Sequence, residues 1–140
     1  MFDLEACVAF ITNQCAKNIA DSFNERLKSS GVTRVQWIAL YYLGKHEGIN
    51  QRELAAKMDV KGSSVVRLID RMERDGYVER VKSPGDRRST SLLLTEKGKT
   101  FREKLIPEGE RMNKIVSKNI CEEDLKTFVN VLKIMEDNIK

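Results

Sequence analysis

The chain has 140 residues, with 25 Lys and Arg against 21 Asp and Glu, a net charge of +4 with its one His neutral, and 41% hydrophobic and 33% charged residues. That length and apolar content fit one compact domain, and a charge density above the roughly 25% of average globular chains points to long, solvated helices. Eight Gly and two Pro are too few breakers for a many-stranded sandwich, a collagen or a low-complexity chain.

The charge is unevenly placed. Residues 1–49 hold five basic and five acidic groups, residues 50–95 hold ten and seven, and residues 96–140 hold ten and nine, so the middle third carries +3 of the total. No stretch reaches the roughly 18 apolar residues of a spanning helix, and the start, Met1-Phe2-Asp3-Leu4-Glu5, is acidic where a signal peptide is basic. A soluble, cytoplasmic protein with no membrane partner is expected. Cys7, Cys15 and Cys121 are odd in number and widely spaced, which does not read as a disulfide framework.

In chain order, Leu4, Val8, Ile11, Cys15, Ile19, Phe23 and Leu27 recur at steps of three and four, predicting one amphipathic helix from Asp3 to Lys28 with Cys15 as a small core residue. Thr33 is the expected cap of a second helix that buries Trp37, Leu40, Tyr41 and Leu43 and ends at Gly44 to Gly48. Asn50 and Glu53 form a capping-box-like start for a short helix, Gln51 to Met58, burying Leu54, Ala55 and Met58. After Asp59, Val60 and Lys61, the set Val65, Leu68, Ile69 and Met72 predicts a further helix closed by Gly76. Two short helices joined by a few residues make a helix-turn-helix candidate.

The period then changes. Tyr77 to Lys82 and Ser89 to Leu94 read as strands around the turn residues Ser83, Pro84, Gly85 and Asp86, a β-hairpin with a basic tip. Thr95 is the expected cap of another helix, which Pro107 and Gly109 should bend or interrupt before Met112, Ile115 and Val116. A last helix, about Glu122 to Ile139, carries Leu125, Phe128, Val129, Leu132, Met135 and Ile139 on one face.

A helix that enters the major groove needs polar residues on its first turns and a buried opposite face. Residues 61–75 offer Lys61, Gly62, Ser63, Ser64, Arg67 and Arg71 opposite their apolar set. Ser63 and Ser64 suit phosphates or bases, and Arg67 suits a bidentate contact to guanine. The bland reading is a solvated helix face. The hairpin tip favours the other, because Arg87 and Arg88 beside a turn suit the negative potential of a narrow minor groove.

Asp86-Arg87-Arg88 with Leu94-Thr95 fits the wing pattern D-x-R-x5-L-T, and the run from Ser64 to Glu73 followed by Gly76-Tyr77-Val78 resembles the recognition helix and wing entry of the MarR family of winged helix-turn-helix regulators. The resemblance extends over nearly the whole chain, including Val32-Thr33 and Gln36-Trp37. It implies a mainly α fold with a small β-hairpin wing, a winged helix-turn-helix plus a helical dimerisation region. It further implies a single domain over 1–140, with dimerisation helices at 1–31 and 107–140 and the winged lobe at 32–106. The implied function is that of a homodimeric transcriptional regulator, a repressor on a pseudo-palindromic operator in double-stranded DNA, with Asp86 pairing with Arg88 to orient the wing. Gly62, a poor helix former at the first turn, departs from the pattern.

Family members commonly bind small phenolic or anionic compounds between the dimer helices and the DNA-binding lobe. The corresponding residues would be Phe10, Ile11, Trp37, Tyr41 and His46, for which core packing is the simpler role. The segment Leu4 to Phe10 is similar in position and pattern to the N-terminal helix of the hydroperoxide-sensing branch, which makes Cys7 a candidate reactive thiol and Cys121 a candidate resolving one. Glu122, Glu123 and Asp124 oppose a thiolate at Cys121. No cofactor or metal is implied, and enzymatic patterns fail: Gly98-Lys99-Thr100 lacks the earlier P-loop glycine, which falls at Leu93, and His46-Glu47 lacks the second histidine of a zinc pair, which falls at Asn50. A non-enzymatic helical protein–protein adaptor with a degenerate winged domain is the alternative.

Overall fold

A computed structural model describes residues 1–83 and 85–140, and the side chains of all of these but Ser83, Asp86, Arg87 and Arg88. By its contacts the chain divides into two compact units, Met1–Glu108 and Gly109–Lys140. Among the described residues six α-helices and one hairpin follow in order: α1 (Val8–Leu27), α2 (Arg34–Lys45), α3 (Gln51–Met58), α4 (Gly62–Arg74), β1 (Val78–Ser83), β2 (Asp86–Leu94), α5 (Glu96–Val116) and α6 (Glu122–Asn138).

Local chemistry explains most boundaries. At the start of α2 the Thr33 hydroxyl accepts from the Gln36 N–H while the Gln36 side chain accepts from the Thr33 N–H, and Asn50 and Glu53 repeat the arrangement at α3, so each pair satisfies two N–H groups that the helix leaves open. Asp59 turns the chain between α3 and α4 in the left-handed region, φ 55°, one that Asp tolerates through its short polar side chain. Gly76, at φ 84°, closes α4 and lets the Tyr77 N–H reach the Met72 carbonyl at 2.9 Å.

The core of the first unit lies where α4 faces its neighbours. Val65, Ile69 and Met72 of α4 are buried, as are Leu27, Leu40, Leu43, Leu54, Val78, Leu92 and Leu105. β1 and β2 pair antiparallel from Val78 opposite Leu94 to Lys82 opposite Thr90, and the register then shifts to Ser83 opposite Asp86. The α2–α3 loop joins the far edge of β2: the Leu92 N–H donates to the Ile49 carbonyl at 2.9 Å, and the Gly48 N–H to the Leu92 carbonyl at 3.3 Å. Thr95 links hairpin and helix, donating its hydroxyl to the Gly76 carbonyl at 2.6 Å and accepting from the Gly98 N–H at 3.0 Å.

Four sequence expectations need correction. The predicted single helix from Asp3 is a 3-10 turn, Leu4–Ala6, followed by an extended Cys7 and then α1. Asp3 accepts from the Glu5 N–H and closes that turn first, a local bond that apolar spacing cannot register. Cys15 is exposed, not a core residue; on α1 only Phe23 and Leu27 are buried, because the stripe meets packing partners at its C-terminal end. Pro107 does not interrupt α5, which runs through it to Val116; a proline removes one backbone hydrogen bond, and the rest of a 21-residue helix remains to hold the ladder. Trp37, Tyr41 and Met58, expected as core, are half-buried.

The second unit contains the end of α5 and all of α6. No α6 residue is buried, and Phe128, Val129, Val131 and Ile134 are exposed.

Two glycines should respond in opposite directions. A Cβ at Gly98 would overlap the Tyr77 carbonyl oxygen, whereas one at Gly62 meets nothing within 4 Å. In urea unfolding at one protein concentration, Gly98→Ala is expected to lose about 1–3 kcal/mol, and Gly62→Ala to be neutral or to gain up to about 1 kcal/mol from helix propensity.

Candidate nucleic-acid interface

The amphipathic pattern of α4 divides its surface cleanly. Val65, Leu68, Ile69 and Met72 are buried, and this fixes the rotation of the helix. The opposite line, at steps of four, three and four, is Ser63, Arg67, Asp70 and Arg74, all exposed. Arg74 was not among the residues that the sequence pattern singled out, although it stands seven residues after Arg67 and so returns to the same face.

Lys61 caps α4 without a side-chain hydrogen bond and is exposed, as are Ser64 and Arg71. Ser64, Arg67 and Arg71 border a groove of about 580 Å³ together with Asn24, Lys28 and Thr33. Its floor includes Val32 and Leu68. Asn24 Oδ1 accepts from the Arg34 N–H at 2.7 Å, which holds the end of α1 against the start of α2. The groove thus presents Lys28, Arg67 and Arg71 around hydroxyl and amide groups, a lining suited to an anionic backbone.

On the other flank of α4 stands Arg80 of β1, which sequence reasoning missed. Its Nη2 lies 2.7 Å from Asp70 Oδ1 and its Nη1 2.9 Å from Glu73 Oε1. Nε and Nη2 also donate to Gln51 Oε1 at 3.1 and 2.8 Å. One planar guanidinium therefore joins α3, α4 and the hairpin, and its side chain is only 22% exposed. Bridging several acceptors in this way is a property of the Arg fork that a Lys ammonium lacks.

The hairpin carries Asp86, Arg87 and Arg88 at the beginning of β2, just past the register shift. The side chains of these three predicted wing residues lie outside the described residues, as does Pro84.

The aromatic candidates form part of a ladder along α2. Trp37 meets Phe23 edge-on at 5.2 Å and stacks on Tyr41 at 6.1 Å, and His46 stacks on Tyr42 at 6.3 Å. Trp37 Nε1 donates to the Leu105 carbonyl at 2.7 Å, so its polar atom serves the packing of α2 on α5. Phe10 is half-buried on α1 and Ile11 is exposed. A separate cavity of about 550 Å³ is lined instead by Glu47, Glu79, Leu93, Lys99, Arg102 and Glu103. Cys7 is half-buried at the start of α1, and Cys121 is exposed at the start of α6, each in a different unit. Among the described residues no His, Cys, Asp and Glu group could hold a metal ion, and no helix is long and apolar enough to cross a membrane.

Comparison with known proteins bears on this surface. A sequence model of the MarR family matches residues 30–89. The chain is 28% identical over 141 residues to the HTH-type transcriptional regulator SarZ of Staphylococcus saprophyticus, covering 97% of this chain and 95% of that one. Its fold is similar to that of CouR from Rhodococcus jostii RHA1, solved bound to p-coumaroyl-CoA, with a TM-score of 0.85 at 24% identity, covering 96% and 95% of the two chains. CouR, described as a transcriptional repressor, has also been solved bound to a 23-mer DNA duplex. BpsR of Bordetella bronchiseptica, whose DNA binding is regulated by 6-hydroxynicotinic acid, matches with a TM-score of 0.89 at 18% identity, covering 98% of each chain.

The orientation of α4 depends on its buried face. Ile69, fully buried, should cost about 2–5 kcal/mol when changed to Ala, and hydrogen exchange should then lose protection across α4 before it does so in α6.

Proposed function

We propose, from its similarity to the MarR family of transcriptional regulators, that the chain is a homodimeric repressor whose α4 enters the major groove of duplex DNA while the hairpin tip reaches the adjacent minor groove. The observation that carries this reading is the α4 surface: a buried apolar face opposite a line that offers Ser63, Arg67 and Arg74. In this reading Arg67 addresses a guanine edge, Ser63 and Ser64 contact phosphates or bases, and Lys61 and Arg71 hold the flanking backbone. Asp86, Arg87 and Arg88 serve the wing, where an Arg exploits the potential of a narrow minor groove. The residues 32–106 act as the reading lobe, in the cytoplasm and without a catalytic step.

Dimerisation through the terminal helices is supported by apolar residues left in the open. Leu4, Val8 and Ile11 are exposed in the first unit, and Phe128, Val129, Val131 and Ile134 in the second, more apolar surface than isolated exposed residues require. A second copy of the chain would cover it, and a twofold dimer matches a pseudo-palindromic operator with half-sites about one helical turn apart.

Release by a small phenolic or anionic compound belongs to the same reading, supported by the compounds named for CouR and BpsR. The residues that would meet it are Phe10, Ile11, Trp37, Tyr41 and His46. Oxidation of Cys7, with Cys121 as its resolving thiol, is the second release route in this reading; Cys7 is half-buried at the start of α1 and Cys121 exposed at the start of α6.

Binding to duplex DNA should weaken steeply with salt, the logarithm of the association constant falling linearly with the logarithm of salt concentration. Arg67→Ala is expected to cost about 1–3 kcal/mol and to relax base preference at one position in each half-site. Lys61→Ala should weaken binding evenly across sequences and reduce the salt slope by about one per site. Salt-independent binding, or Arg67→Ala affinity equal to wild type, would count against the reading.

A further inference from the structure

The outward line of α4 places a carboxylate where a duplex would bring its phosphates. Asp70 stands between Arg67 and Arg74 on that line with its side chain 60% exposed, and Glu73 lies on the flank toward the hairpin, 43% exposed. Left unpaired, two negative groups on the reading face would oppose a polyanion.

Both carboxylates are answered by the same cation. We propose that Arg80 is a positioning residue that masks Asp70 and Glu73, so that the reading face of α4 presents its arginines without an opposing charge; this rests on the duplex-DNA reading above. The arrangement separates two tasks. Asp70 and Glu73 receive Nη2 and Nη1 at 2.7 and 2.9 Å, and Glu73 Oε2 also accepts from the Arg80 N–H at 3.3 Å. Two neutral acceptors hold the guanidinium independently of them: Gln51 Oε1 takes Nε and Nη2, and the Val66 carbonyl takes Nη2 at 3.5 Å. Nε and Nη2 are thereby committed to the protein, so Arg80 acts through its neighbours and not as a bidentate contact to the nucleic acid.

The masking role differs from a clamp in one consequence. If the carboxylates matter only because they must be neutralised, removing their charge should serve as well as pairing it. A duplex enriched from random-sequence DNA by the wild-type protein provides the probe. Arg80→Gln should bind it about tenfold more weakly, and adding Asp70→Asn and Glu73→Gln to that variant should return the affinity to within about threefold of wild type. In the wild-type background, Asp70→Asn with Glu73→Gln should bind as tightly as wild type or more tightly, because Gln51 and the Val66 carbonyl still hold Arg80; this double variant decides the matter even where Arg80→Gln fails to fold. No recovery in the triple variant, or a loss beyond about tenfold in the double variant, would overturn masking in favour of a clamp. A weakened Arg80→Gln whose salt slope falls by about one, without recovery, would make Arg80 a phosphate contact and also overturn it. Failure of the wild-type chain to enrich or bind any duplex would instead defeat the DNA reading itself.

Discussion

The guanidinium of Arg80 meets Gln51 of α3, Asp70 and Glu73 of α4 and the Val66 carbonyl, and the charge that the outer face of α4 presents depends on that junction. A two-stranded hairpin is marginal by itself in water, so the direction in which its tip points has to be imposed from outside. The pairing of Ile49 with Leu92 imposes it from the edge of β2, and the buried side chains of Val78 and Leu92 impose it from the face that meets the core. α4 and the hairpin consequently share one core, through Val65, Ile69 and Met72 on one side and Val78 and Leu92 on the other.

A second set of contacts joins this lobe to α5. Thr95 bridges the Gly76 carbonyl and the Gly98 N–H, and Gly98 permits a close approach to the Tyr77 carbonyl that no side chain would allow. Further along, Arg102 donates to the Leu40 and Tyr41 carbonyls at 2.9 and 3.0 Å, past a Gly44 whose Cβ would collide with it. The Trp37 indole reaches the Leu105 carbonyl from α2. The first three turns of α5 are therefore bonded to α2 and to the base of the hairpin.

Elements whose causes are local were legible in the sequence. Thr33 with Gln36, Asn50 with Glu53, and Gly76 after α4 are short-range signals, and the spacing of Val65, Leu68, Ile69 and Met72 predicted the buried face of α4 in full. Single residues misled the reading in two ways: extended Cys7 breaks the periodic pattern between the 3-10 turn and α1, and α5 runs through Pro107 without the interruption that was one of its two expected effects. Cys15 was misjudged because an apolar stripe shows only that a face will be covered, not by what. Arg80 was invisible for a different reason. Its partners lie at positions 51, 66, 70 and 73 on two other elements, and no sequence period brings these together. Arg74, by contrast, could have been found by extending the spacing of Arg67 by two turns.

In the proposed function α4 and the hairpin read duplex DNA as one body. Footprinting with a probe of guanine N7 in the major groove and a hydroxyl-radical probe of the minor groove tests it most directly. Each half-site should show protected guanines with a protected minor-groove stretch about half a helical turn away, at a constant offset and disappearing together on dissociation. Major-groove protection without the neighbouring minor-groove protection, or an offset that varies between half-sites, would contradict it.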